Sequence, residues 1–199
     1  MSKSLSKREA NRARYRNQRL TSTLIWGSLG VGVLALLGFF VWQGVRPGSA
    51  RGVEVQVPAD YTHIEIGTPP GPYISDPPAG GRHYPTTFKA GFYEESDVAS
   101  LSQYPEGYLV HNQEHGYVIF WYNCPAPGVS DCESLKADIR KVMDGFGGVK
   151  LIAFPWKSLD VPVIMTSWGR MERLEVFETT EASAFIRANR NHSPEPNAP

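Results

Sequence analysis

One stretch constrains this chain more than any other. "LTSTLIWGSLGVGVLALLGFFVWQGV", residues 20–45, holds no ionisable side chain. A run of about 20 apolar residues crosses the hydrocarbon core of a bilayer as a helix, and soluble cores rarely need so long an uncharged segment. Trp26 and Trp42 stand near its two ends, where interfacial aromatics sit. The flanks differ in charge. Residues 1–22 carry Lys3, Lys7, Arg8, Arg12, Arg14, Arg16 and Arg19 against a single acid, Glu9, a net +6. The whole chain is formally neutral, so the remainder is acidic by the same amount. A basic flank stays on the cytoplasmic side by the positive-inside rule. The pattern predicts a single-pass protein of the cell membrane: a basic cytoplasmic arm over residues 1–22, a transmembrane helix over 23–45 and everything beyond it extracytoplasmic. A cleaved secretory signal is the alternative, with "GSA" ending at Ala50 as its cleavage site. Signal-peptide apolar cores run about 7–15 residues, shorter than this one. The glycines of the span form no G-x-x-x-G pairing motif. The basic arm lies against the membrane, where it meets anionic headgroups. Nucleic acid is therefore not an expected partner of this acidic outer region.

Cys124 and Cys132 are the two cysteines, and they flank a Pro/Gly loop, "CPAPGVSDC". Outside the membrane the compartment is oxidising, which favours a disulfide between them. Their spacing is not that of a redox motif.

Residues 46–60 read as a linker, residues 61–190 as one folded domain and residues 191–199 as a disordered, Pro-rich tail. Within the domain "YTHIEIG" alternates as a strand does. "TPPGPYISDPPAGGRHYP", residues 68–85, is too rich in Pro and Gly for a helix and forms a stiff, shaped loop. "GYLVHNQEHGYVIFWYN" reads as a strand, a polar interruption and a second strand, and the apolar run "YVIFWY" predicts a central strand buried on both faces. "SDCESLKADIRKVMDGFGG" opens with cap residues, repeats Leu135, Ile139, Val142 and Met143 at helical spacing and stops at glycines. "VKLIAFP", "VPVIMTSWG" and "RLEVFE" predict three more strands, and "TTEASAFIRANRNH" a short helix. The fold class is α+β, a mixed or antiparallel sheet with one or two helices, preceded by the single transmembrane helix.

The chemistry-bearing residues are histidines. His192 lies in the tail and is expected to be solvated; His63, His83, His111 and His115 lie inside the domain. "HNQEH" at residues 111–115 matches the inverted zincin motif, which requires both histidines on one helix and Glu114 as general base. Gly116 and a run of strand-formers follow at once, which argues against it. A non-proteolytic metal site is the second reading. His83, His111 and His115, with His63 as a fourth or nearby, form an imidazole set suited to zinc or copper. Glu114 would orient one of them. Met165 and Met171 could add thioether ligands for Cu(I), though both suit a core equally well. In the third reading the histidines are structural, with Glu114 paired to His111, His115 or Arg82. No nucleophile stands out, since Ser167 and Cys124 lack supporting context.

Several segments together resemble an uncharacterised bacterial family, the domain-of-unknown-function family numbered 3105. They are His63; Pro77, Pro78, Ala79, Gly80, Gly81, Arg82, His83 and Tyr84; His111, Glu114, His115 and Gly116; and Ser167, Trp168 and Gly169. Ala79 and Gly80 depart from a Thr-Ser pair expected in the Pro-Pro segment. The resemblance spans about residues 61–190. It implies a basic start, one membrane span and an extracytoplasmic domain in which His63, His83, His111, Glu114 and His115 share one site. It implies no reaction.

The function expected is thus a membrane-anchored extracytoplasmic domain with a His-rich site for a transition metal or a small polar ligand. Metal binding should weaken as the histidines protonate near pH 6. An alternative is an interaction module of the cell envelope, docking a protein partner through the Pro/Gly loop and the aromatics Tyr73, Tyr84, Phe88, Phe92 and Tyr93. A metal-dependent hydrolase is the third, and it requires an open coordination position.

Overall fold

The computed structural model describes residues 51–98 and 100–198, together with Trp26, Gly30 and residues 32–34. The chain divides into two compact units, Met1–Pro47 and Gly48–Pro199. In the first unit the described residues are all helical. The basic arm and most of the apolar span lie outside the described residues. Among the described residues no helix is long and apolar enough to cross a membrane.

The second unit is α+β and is built on a six-stranded mixed sheet. Its strands are β1 (Val53–Glu54), β2 (Gly91–Phe92), β3 (Val118–Tyr122), β4 (Leu151–Pro155), β5 (Val163–Ser167) and β6 (Arg170–Leu174). They run in the order β1-β6-β5-β3-β4-β2. β3 pairs parallel with β4 and antiparallel with β5. All five β3 residues are buried, as the unbroken apolar run predicts for a strand covered on both faces. Alternate side chains feed two cores. Val118, Phe120 and Tyr122 join one cluster, Ile119 and Trp121 the other.

The first core is closed by two helices. In the Cys132–Gly145 helix, Leu135, Ile139, Val142 and Met143 lie on one buried stripe. Asp131 caps its start by accepting the Glu133 N–H at 3.1 Å. The Thr179–Asn189 helix adds Ala182, Phe185 and Ile186. Cys132 opens the first of these helices and is disulfide-bonded to Cys124, with the Cα atoms 5.1 Å apart. A short helix, Glu95–Val98, follows β2.

The second core contains the main departure from expectation. "GYLV" is not a strand. It opens a helix, Glu106–Glu114, hereafter the site helix. Gly107, Leu109, Val110, His111, Asn112, Gln113 and Glu114 are all buried. A helix buried nearly all round has no polar face, so it shows none of the period-3.6 alternation that identifies a surface helix. Asn112 and the Gln113 amide N–H groups are paired with other segments, while Gln113 Oε1 is buried without a hydrogen-bond partner. Asn112 accepts the Phe88 N–H at 3.0 Å and donates to the Phe88 carbonyl at 2.9 Å. Gln113 donates to the Pro78 carbonyl at 2.9 Å and to Thr166 Oγ1 at 2.6 Å.

The Pro/Gly loop is shaped, as expected; its first half lies at the surface and most of its second half is buried. Residues 77–81, 83 and 84 are buried. "YTHIEIG" forms no strand; its pairing is a single bridge, His63 to His83. Prolines on either side of that segment of the loop lack the N–H groups a longer ladder needs. Of the aromatics expected to form a docking patch, Tyr84 is buried and Tyr73, Phe88, Phe92 and Tyr93 are half-buried. Phe88 stacks on Tyr108 at 4.6 Å between ring centroids, and Phe92 stacks on Tyr122 at 5.2 Å. The third expected strand begins earlier, at Arg170, because Gly169, at φ +69°, turns the chain directly after β5.

Both ends of the domain extend further than expected. Residues 53–55 belong to the sheet edge rather than to a linker: β1 pairs with β6, and the Val55 N–H donates to the Gly169 carbonyl at 3.0 Å. The Pro-rich terminus is bound to the domain instead of disordered. Lys150 Nζ donates to the Pro196 carbonyl at 2.8 Å and to the Ala198 carbonyl at 3.0 Å.

Two stability outcomes follow. A Cβ at Gly107 would lie 2.6 Å from the Tyr84 ring. Gly107→Ala should therefore destabilise the protein by about 1–3 kcal/mol through overpacking, measured as a lowered urea midpoint. Replacing Cys124 and Cys132 together by Ser should lower the unfolding free energy by about 2–3 kcal/mol, the loop-closure contribution of so short a loop, in the same assay.

Candidate metal centre

The site forms where three segments meet: the His63 segment, the end of the Pro/Gly loop and the C-terminal turn of the site helix. The rings of His63, His83 and His111 make a nearly equilateral triangle, with centroids 4.8, 4.9 and 5.1 Å apart. Glu114 faces all three. Its Oε2 lies 2.9 Å from His83 Nε2, 3.8 Å from His63 Nε2 and 3.9 Å from His111 Nε2. His83, His111 and Glu114 are buried, whereas the His63 side chain is 51% exposed and forms the open side. Trp168 stands edge-on to His83 at 6.2 Å, and Tyr61 stands edge-on to Trp168 at 5.4 Å, which walls the site.

The hydrogen bonds define what these atoms can do. His83 Nδ1 lies 2.8 Å from the Gly81 carbonyl oxygen. A carbonyl only accepts, so Nδ1 carries the proton and donates. In neutral His83, Nε2 then keeps its lone pair and directs it at a carboxylate oxygen 2.9 Å away. Two electron-pair donors face each other at contact distance only if a cation, a proton or a metal ion, lies between them. A backbone carbonyl holding the far nitrogen of an imidazole is also the usual support of a metal-ligating histidine. Gly80 and Gly81 make this possible. They sit at φ +132° and +129°, where side-chain-bearing residues are strained.

His111 is held neutral. Burial first, then the neighbouring His115, His83 and His63, push it from 6.5 down to about 4, with the Tyr84 backbone pulling weakly the other way. Its Nε2 is 3.0 Å from His115 Nε2, so one of those nitrogens donates to the other.

The ligand atoms of His63, His83, His111 and Glu114 all lie within 4.8 Å of one another. Three imidazoles and a carboxylate fit a four-coordinate zinc, whose bonds of about 2.0–2.1 Å place donors about 3.3 Å apart. Small rotations of His63 and His111 would bring them from 3.8 and 3.9 Å to that spacing. Glu114, expected to orient a histidine, contacts His83 rather than Arg82, and its carboxylate also lies among the atoms that could hold a metal. His115 falls in a second group, with Glu114 and Glu195. Glu195 has no counterpart in the sequence reading, because it lies in a terminus whose composition suggests no structure. The zincin-like motif lies at the end of a helix that does not continue beyond it: the site helix ends at Glu114, His115 is its C-cap, and β3 starts four residues after Glu114. Met165 and Met171 pack in the two cores, which leaves no thioether among the described donors. A third group, Glu95 with Cys124 and Cys132, holds disulfide sulfurs without thiolate character. His192 is exposed, as expected.

The acid response follows from His111. Its proton binds the unfolded chain near 6.5 but the folded chain near 4. The contribution of His111 to stability is therefore complete above about pH 6.5 and is lost as the pH drops toward 4, at most about 3 kcal/mol once solvent screening is counted. Urea unfolding of chelator-treated protein at pH 7 and pH 5 should show the loss, and His111→Gln should flatten it by about one proton.

Comparison with known proteins places residues 69–199 in a match to the family model described as protein of unknown function, DUF3105. No curated protein and no solved structure matches the chain.

Proposed function

This chain belongs to the DUF3105 family, and from that premise we propose that it is a membrane-anchored extracytoplasmic protein whose outer domain binds a divalent transition metal. The metal reading is carried by one observation. Possible ligand atoms of His63, His83, His111 and Glu114, delivered by three separate segments, lie within 4.8 Å of one another, and three of these four residues are buried. Burying a carboxylate away from water is costly unless a cation compensates it. Zinc suits a nitrogen-rich four-donor set, and copper(II) is the nearest competitor.

The anchoring reading is supported by the uncharged run and the charge difference across it. Trp26, Val33 and Leu34, the large apolar residues described there, are helical and exposed, a surface suited to lipid. The Cys124–Cys132 disulfide agrees with an oxidising compartment outside the membrane. No reaction is assigned by these features.

Metal analysis of the full chain, purified in detergent, tests the reading. The wild type should retain zinc or copper. His83→Ala combined with His111→Ala should lower the retained metal at least about tenfold. A wild type that holds no metal, and shows no rise in melting temperature on adding zinc or copper, would leave the cluster a purely structural His–Glu contact.

A further inference from the structure

His115 and Glu195 lie outside the four-donor set, yet their ligand atoms and those of Glu114 are within 4.8 Å of one another. Glu114 belongs to both groups. We propose that the centre is dinuclear: one cation on His63, His83, His111 and Glu114, a second on Glu114, His115 and Glu195, with the Glu114 carboxylate bridging them. This rests on the metal-site reading above.

The donor arithmetic favours two ions over one. The first set already supplies the four donors of a closed tetrahedral site, and His115 is not among them. His115 Nε2 nevertheless lies 3.0 Å from His111 Nε2 and 3.6 Å from Glu195 Oε2. In the loaded centre the proton shared by the two histidine nitrogens leaves, and each nitrogen binds its own cation, the two about 3.5–4 Å apart as in two-metal sites.

The chain also holds Glu195 in place by means its composition does not suggest. The Glu195 N–H donates to the Glu114 carbonyl at 3.0 Å. Lys150 Nζ donates to the His115, Pro196 and Ala198 carbonyls at 2.8, 2.8 and 3.0 Å, tying the terminus to the end of the site helix. The Asn191 N–H donates to the Gly116 carbonyl at 2.9 Å. A Cβ at Gly116 would meet the Asn191 Cα at 2.7 Å, so this close crossing needs glycine. The backbone is fastened on both sides of Glu195 while its side chain stays 57% exposed on the His115 side.

The second set has three protein donors, which leaves one coordination position for an oxygen ligand. Two carboxylates against two divalent cations also leave the pair positively charged. The ligand class is therefore water or a small oxyanion.

The test is zinc stoichiometry of the full chain in detergent, loaded with zinc alone and freed of excess, compared with Glu195→Gln. The substitution keeps the backbone contacts that hold the terminus. Wild type should hold about two zinc ions and Glu195→Gln about one. One ion in both proteins would overturn the second site and leave the four-donor site standing. Two ions in both would remove Glu195 from the coordination. No zinc in either would overturn both readings. Copper(II) loading supplies a second readout: a magnetically coupled spectrum in the wild type and an isolated-ion spectrum in Glu195→Gln.

Discussion

The contact between the Glu114 carboxylate and His83 Nε2 organises this domain around itself. A buried carboxylate has lost its hydration and needs compensation from fixed partners. The partners arrive from three directions, and each requires its own backbone arrangement. His83 is aimed by the Gly81 carbonyl, which only a left-handed glycine pair presents in that position. His63 is placed by the bridge between its strand-like segment and the loop. His111 is placed by one turn of helix.

That helix is the second constraint. It is enclosed by the sheet on one side and the Pro/Gly loop on the other, and it has almost no surface of its own. Its amide side chains become the bonds that join the layers. Gln113 reaches from the loop carbonyl of Pro78 to Thr166 on β5, and Thr166 in turn accepts from Trp121 Nε1 on β3 at 2.7 Å. The candidate metal centre is thereby tied to the central strand pair through a short chain of buried hydrogen bonds. Such a network holds donor atoms in place before any ion arrives, which lowers the ordering cost of binding.

Family membership supplies the fold's neighbourhood and no reaction, so function here is argued from the donor atoms themselves. The donor types suit a borderline cation, and His63 is the one of the four residues that stands exposed.

Several features were readable from residues alone. The uncharged span, the charge difference across it, the fully apolar central strand, the amphipathic Cys132–Gly145 helix and the candidate histidines are all patterns of local period or composition. They report on local burial, which neighbours in sequence share. The site helix was not readable, because burial on every side erases the periodicity that distinguishes helix from strand. The terminus that brings Glu195 beside His115 was not readable either, since its order comes from Lys150 and Glu114, about 45 and 81 residues away, and not from its own Pro-rich composition. Local chemistry chose which residues can bind a cation. Only the packing of distant segments decided which of their lone pairs meet, because convergence is a property of three-dimensional neighbours that no spacing along the chain encodes.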